Sequence, residues 1–199
     1  MDFDALTEEI ARRLFIPLEA SGRHAHLTSQ QAMELFGHPL TPKRELSQPG
    51  QFLANERLAV IGPKGEFSDV AVLGPERQEG QLEISLTDGK HLGLTPPVRL
   101  SGQLVKTPGI TLRGPKGTVE LERGVIVAQR HIHMTPEDAQ KLGVSDKQAV
   151  RVQTFTDRPV TFHGVLVRVS PDFETSMHMD YDEANGCGFH PGDLGRILP

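Results

Sequence analysis

The chain predicts a mainly β protein of many short strands with a few short α-helices. Three observations carry that expectation. Fifteen prolines and twenty glycines punctuate 199 residues, and the Val/Ile/Leu runs between them are short. Two Gly-Pro-Lys-Gly stretches, at residues 62–65 and 114–117, each separate two apolar runs and read as hairpin turns. Meanders of such strands close into barrels or sandwiches, because closure removes exposed edges.

The elements follow in order. Phe3, Leu6, Ile10 and Leu14 recur at helical spacing in a charged segment, so an amphipathic helix opens the chain. Pro17 leads into a strand that ends at residues 24–26. Prolines and a glycine make Leu40 to Gly50 an irregular loop. Strands are expected around 57–62, 67–73, 80–86, 97–105, 109–113, 118–122 and 124–132. A helix near 136–142, strands near 148–155, 160–170 and 174–179, and a helix starting between Asp180 and Glu183 complete the reading. The acidic first turn of that last helix suits the helix dipole.

Length allows one large core or two of about a hundred residues each. A net charge of −5 and a pI near 6.0 supply no basic face for a phosphate backbone, so no nucleic-acid partner is expected. One cysteine, Cys187, rules out a disulfide framework and points to a reducing compartment. No apolar run has the length of a membrane span and no signal peptide is evident, so a soluble cytoplasmic protein is expected.

The chemistry is carried by a repeated dyad. Arg23-His24-Ala25-His26-Leu27-Thr28 and Arg130-His131-Ile132-His133-Met134-Thr135 share one pattern. Residues i and i+2 of a strand face the same way, so each dyad presents two imidazoles side by side. Neutral imidazole is the commonest protein ligand for transition metals, and two such pairs could hold one or two zinc-type ions. Either pair alone would fit a surface strand equally well; the repetition favours metal. Each dyad runs through a Thr cap into a short helix ended by glycine. A fainter third copy starts at Glu83, with Glu83 and Ser85 in the places of the two histidines. His178, alternating with Met177 and Met179, joins the ligand candidates. His38, His91, His163 and His190 read as surface residues, and Cys187 as a packed free thiol. Asp180, Asp182 and Glu183 suit either outer support of a metal or a helix N-terminus.

The stretches SGRHAHLT, LSQPGQF, VLGPERQEGQLEISLTD, VRLSG, GITLRGPKG, RHIHMTPEDAQKLGV and MHMDYDEANGCG span nearly the whole chain. In that order they resemble the PduL-type phosphate propanoyltransferases, phosphotransacylases best known from bacterial microcompartments. The resemblance implies two β-barrel domains capped by short α-helices, residues 1–22 with 129–199 forming one and 23–128 the other. It also implies a two-zinc site between them, and conversion of acyl-CoA and phosphate to acyl phosphate and CoA. The family's zinc ligands fall on His24, His26, Glu83, His131, His133 and His178. Its phosphate-binding arginine falls on Arg77, a further functional serine on Ser101, and its coenzyme A contacts on Ser21, Arg44, Leu73, His178 and Asn185. Family members carry a basic residue two positions before Leu73, where this chain has Ala71, leaving Arg44 or a neighbouring lysine to compensate. The implied partners are a coenzyme A thioester and inorganic phosphate; a homo-oligomer and microcompartment association are compatible with it. Because Pro17 and a core strand follow the N-terminal helix without a linker, that helix is expected to cap its own domain, favouring the cytoplasm over a microcompartment lumen. Two other readings of the residues stay open: a zinc-dependent hydrolase with Glu83 as base, and a non-catalytic metal-binding or assembly module.

Overall fold

The computed structural model describes residues 14–198. The amphipathic helix expected over Phe3, Leu6 and Ile10 lies outside them. In chain order the elements are β1 (Ile16–Ser21), β2 (His24–His26), α1 (Ser29–Phe36), β3 (Pro42–Glu45), β4 (Phe52–Ile61), β5 (Glu66–Gly74), β6 (Gln81–Glu83), α2 (Leu86–Leu92), β7 (Val98–Arg99), β8 (Ile110–Arg113), β9 (Thr118–Leu121) and β10 (Val125–Ala128). They continue with β11 (His131–Met134), α3 (Pro136–Leu142), β12 (Ala149–Phe155), β13 (Thr161–Val169), β14 (Ser176–Asp180), α4 (Tyr181–Cys187) and β15 (Leu194–Leu198). The mainly β class with short capping helices is as expected.

The chain divides into two compact units, Met1–Ser21 with Gln129–Pro199, and Gly22–Ala128. The first is a closed barrel in the order β1-β14-β11-β13-β12-β15. Ile132, Met134, Val152, Val165, Val167, Met177 and Met179 fill its core. The second is a nine-stranded sheet, β7-β10-β6-β2-β5-β4-β8-β9 with β3 on β4, curved as a half-barrel. Its core gathers Ala25, Leu27, Leu35, Leu58, Val60 and Leu82.

Three local departures have physical reasons. Residues 42–45, expected as loop, form β3, an exposed strand paired on one side only, where a proline is tolerated. The strand expected over 97–105 stops at Arg99, because Gly102 turns at φ +89° and gives its N–H to the Gln81 side chain instead of a ladder. The strand expected over 80–86 stops at Glu83, because Ser85 caps a helix with its hydroxyl on the Asp88 N–H.

All four helices belong to one strand–helix unit. Thr28, Ser85, Thr135 and Asp180 are the N-caps, each side chain accepting the N–H three residues on. Replacing such a cap by Ala costs about 0.5–2 kcal/mol. Each helix ends at a left-handed glycine, Gly37, Gly93, Gly143 or Gly188. Residues one before the cap (Leu27, Ile84, Met134, Met179) and three before it (Ala25, Leu82, Ile132, Met177) are all buried apolar side chains. Strand alternation therefore puts the residues two and four before the cap on the opposite face. Two before are His26, Glu83, His133 and His178; four before are His24, Gln81, His131 and Ser176. Glu83 thus takes the place of the second histidine, not the first, and the third copy starts at Gln81.

The Gly-Pro-Lys-Gly hairpins brace two of these helices. The Lys64 N–H donates to the Leu92 carbonyl closing α2, and the Lys116 N–H to the Leu35 carbonyl closing α1. A Cβ on Gly62 would lie 2.4 Å from Leu92 O, and one on Gly114 2.3 Å from Leu35 O, so both contacts require glycine. Among the described residues, no helix is long and apolar enough to cross a membrane.

Candidate metal centre and anion site

Strand pairing assembles two clusters on one backbone pattern. β2 and β6 run antiparallel with His24 opposite Glu83 and His26 opposite Gln81. β11 and β14 run antiparallel with His131 opposite His178 and His133 opposite Ser176. Each cluster therefore holds a complete His-x-His dyad, one ligand-type residue from the facing strand, and one neutral polar residue beside it.

In the first cluster the ligand atoms of His24, His26 and Glu83 all lie within 4.8 Å of one another, and all three residues are buried. His24 Nδ1 is 2.8 Å from the Gly22 carbonyl oxygen, which can only accept, so Nδ1 carries the ring proton. Its Nε2 lone pair then faces Glu83 Oε2 at 3.6 Å, while His26 Nε2 lies 3.8 Å from Oε1. Burial alone would raise the Glu83 carboxyl. The charges of His24 and His26, the Ser101 hydrogen bond and Arg77 outweigh it and hold the pKa at about 2. Burial, followed by the His24 charge, lowers His26 well below its ordinary value despite Glu83. His26 Nδ1 is buried without a hydrogen bond of good geometry; the Leu73 carbonyl acts on the ring without completing one. A lone pair facing an ionised carboxylate repels it unless a cation lies between. Two imidazoles and one carboxylate, with a coordination position left open, are a donor set that suits catalytic zinc.

Beside this cluster lies an anion-binding arrangement. Arg77 Nη1 and Gln81 Nε2 both donate to Ser101 Oγ, at 3.0 and 2.9 Å. Gln81 Nε2 also donates to Glu83 Oε1 at 2.5 Å, and Gln81 Oε1 accepts the Gly102 N–H at 2.8 Å. With both Ser101 lone pairs occupied, its hydroxyl hydrogen goes to the Glu83 carboxylate, the hydrogen bond that helps hold that carboxyl low. The planar Arg77 guanidinium is suited to phosphate oxygens.

In the second cluster His131 Nδ1 lies 2.8 Å from the Gln129 carbonyl oxygen, repeating the His24 tautomer and freeing Nε2. The rings of His131 and His178 stack at 5.3 Å, with His133 edge-on at 4.6 and 4.8 Å. Burial, then the charges of His131, His178 and Arg168, lower His133 to about 2. The Ser176 hydroxyl is 3.0 Å from His178 Nε2, and Glu19, beside His178 on β1, brings Oε2 to 3.8 Å from Nδ1. Among the described residues only His24, His26 and Glu83 bring three ligand atoms within 4.8 Å of one another; the three imidazoles of the second cluster do not. Gln81, Glu19 and Arg168 were missed in the sequence. Only Gln81 had a signal there, its position four before the Ser85 cap.

The remaining expected residues scatter over both units. Arg44 on β3 is opposite Leu53, which is also opposite Leu73, so one strand separates these two. Ala71 lies between His24 and Arg57 in register. Ser21 ends β1 opposite Asp180, and Asn185 is exposed on α4. Asp180 caps that helix, and Glu183 closes the capping box and pairs with Arg130 at 2.5 Å. Cys187 is buried, its thiol raised first by burial and its S–H 3.3 Å from the Ala184 carbonyl, so it is no thiolate nucleophile. His38, His91, His163 and His190 are exposed.

Paired imidazoles, a buried carboxylate and an adjacent guanidinium–hydroxyl pair mark a candidate metal-assisted group-transfer centre on a β scaffold. The comparisons with known proteins agree with that class. The sequence model of phosphate propanoyltransferase matches residues 17–190. The phosphate propanoyltransferase of Listeria monocytogenes is 50% identical over 98% of this chain and 94% of that protein. Those of Leptotrichia buccalis (54%; 90% of this chain, 86% of that one) and Thermotoga maritima (50%; 89% and 86%) are similar. The chain belongs to the phosphate propanoyltransferase family, and so to the acyltransferases.

Proposed function

We propose that this acyltransferase moves a short acyl group, propanoyl or acetyl, reversibly between coenzyme A and inorganic phosphate, with one zinc ion held by each histidine cluster. The observation that carries this reading is the continuous hydrogen-bonded run from Glu83 through Gln81 and Ser101 to Arg77. It ties a metal-ligand carboxylate to a phosphate-type anchor.

His24, His26 and Glu83 hold one ion, and His131, His133 and His178 the other. Zinc bound there supplies Lewis acidity toward a thioester carbonyl or a departing thiolate. Arg77 binds two phosphate oxygens through its planar fork, and Ser101, which accepts from Arg77 and bonds Glu83, sets the orientation of that fork. No acyl-enzyme is needed: the phosphate oxygen bonds to the carbonyl carbon, and the carbon–sulfur bond breaks to release CoA. The buried, raised thiol of Cys187 supports this direct route. Coenzyme A is bound by Ser21, Arg44, Leu73, His178 and Asn185. Glu83 faces both imidazoles of its own cluster as a ligand-type group, which leaves the hydrolase reading without a free carboxylate base there. We place the enzyme's work in the cytoplasm, since a core strand follows the expected N-terminal helix without a linker.

The test is thiol release from propanoyl-CoA by the zinc-loaded protein, with and without inorganic phosphate. Release strictly dependent on phosphate, with acyl phosphate as co-product, is expected. Equal release without phosphate would replace this reading by a thioesterase.

A further inference from the structure

We propose that Arg168 anchors a second oxyanion subsite, at the His131–His133–His178 cluster, which takes a phosphate group carried by a substrate. The inference rests on the reaction proposed above for the identity of that substrate, but its geometry stands apart from Arg77.

The backbone places the guanidinium there. β11 and β13 pair in parallel with His133 beside Arg168. Val167 is buried in the barrel core, so alternation turns Arg168 to the face that carries the imidazoles. Arg168 Nη1 lies 3.3 Å from His133 Nε2, and the guanidinium sits 5.5 Å from the centre of the Phe173 ring. That ring is itself 4.3 Å from His133, so one aromatic side chain braces both groups.

Hydrogen-bond counting shows what is missing. A guanidinium only donates, so His133 Nε2 is its acceptor here, and a metal ion taken by that nitrogen would leave Arg168 without one. His133 Nδ1 is buried with no hydrogen-bond partner. A ring proton on Nε2 would be set against an Arg168 N–H, so neither tautomer satisfies the ring. Arg23 and Arg130, also half-buried, hold Asp88 and Glu183 at 2.7 and 2.5 Å. Among the described residues Arg168 makes no such ion pair. The Glu19 carboxylate and the Ser176 hydroxyl face His178, so Arg168 and the His133 ring are left with more donors than acceptors, and a cation bound by the imidazoles would deepen the imbalance. An oxyanion accepting from Arg168 and from His133 supplies the missing acceptor. Its possible sources are inorganic phosphate, acyl phosphate and the phosphates of coenzyme A.

The experiment uses the zinc-loaded full chain as wild type, Arg168→Gln and Arg168→Lys. It reads the Michaelis constants for CoA, acyl phosphate, acyl-CoA and phosphate, zinc content, and equilibrium dialysis with labelled phosphate and labelled CoA. Arg168→Gln should raise the constant for one class of ligand about tenfold or more at full zinc content, with weaker dialysis binding of that same ligand. Arg168→Lys should recover part of it. A change confined to CoA and acyl-CoA identifies a coenzyme phosphate; one confined to phosphate and acyl phosphate identifies the small oxyanion. Unchanged constants and binding would overturn the subsite, and so would zinc loss in step with activity, which would make Arg168 a support of the ligands. If wild type lacks phosphate-dependent turnover yet Arg168 still governs dialysis binding, the reaction fails and the subsite stands.

Discussion

The His24–His26–Glu83 and His131–His133–His178 clusters use the same antiparallel strand pair, the same tautomer-setting carbonyl and the same capped helices, yet they differ in the donor on the facing strand. Glu83 brings one negative charge to a bound dication, whereas His178 brings none. Their neutral neighbours differ in parallel. Gln81 spreads three hydrogen bonds over Glu83, Ser101 and Gly102, while Ser176 reaches His178. Arg77 stands near the first cluster and Glu19 near the second, so each has one carboxylate and one guanidinium, and the difference is where the carboxylate sits: among the donors of the first, beside His178 in the second. One backbone unit used twice has been given different donors by a few side chains.

Four experiments break or sharpen that contrast. The largest effect belongs to the ligands. His24→Ala and His131→Ala should each lose one of two zinc equivalents and lower turnover more than about 100-fold, since even outer supports of a metal cost 10–100-fold. Elemental analysis checks this: full metal content in either variant sinks the assignment, and loss of both ions from either makes the clusters one cooperative site.

Next comes the anion anchor of the first cluster. Arg77→Ala should raise the Michaelis constant for phosphate and lower turnover, together roughly 10- to 100-fold, with zinc retained. Lysine should rescue only partly, because a point charge lacks the fork. Wild-type phosphate kinetics would remove Arg77 from the site.

Third, Gln81→Leu should weaken both zinc retention and phosphate use by about tenfold, whereas Ser176→Ala should change zinc retention less. Equal effects would mean that the two supports are interchangeable after all.

The smallest effect is on stability. Unfolded imidazoles titrate near 6.5, while folded His133 is held at about 2 and His26 well below normal. Below pH 6.5 the unfolded chain takes up protons that the folded metal-free protein refuses, so stability falls with acidification. The slope reaches roughly 1.4 kcal/mol per pH unit for each imidazole. Glu83, depressed from 4.5 to about 2, adds to the same slope only below about pH 4.5. Thermal midpoints of the metal-free protein between pH 7.5 and 5 check this; His26→Asn and His133→Asn should each flatten the fall. Equal midpoints at both ends would show that neither imidazole is held neutral.

Both dyads were legible in the sequence because their two histidines are neighbours on one strand, where spacing alone decides the face. The capped helices were legible for the same reason: Thr28 and Thr135 sit three residues before the N–H they satisfy. Apart from the family resemblance, Glu83 was visible only through a faint repeat whose register was off by two, since Ser85 and Thr87 are both plausible caps until the Asp88 bond selects one. Arg168 was invisible, because its place beside His133 comes from a pairing between strands far apart in sequence. Gln81 failed for another reason: an amide carries no ligand signature, and its value lies in three partners brought together by the fold. Likewise β3 was hidden by its proline, which excludes a central strand but not an edge.

The barrel's first stave has a consequence for the order in which the protein is made. β1 hydrogen-bonds to β14 on one side and to β15 on the other, so the earliest strand closes the ring with the latest ones. During synthesis the Gly22–Ala128 unit is complete long before the ribosome reaches β15. At about 5–20 residues per second, β1 waits roughly 8–30 seconds with its edges open. Co-translational folding thus has a built-in sequence: the Glu83 cluster can form on the nascent chain, and the barrel carrying the three imidazoles closes only near the end of elongation.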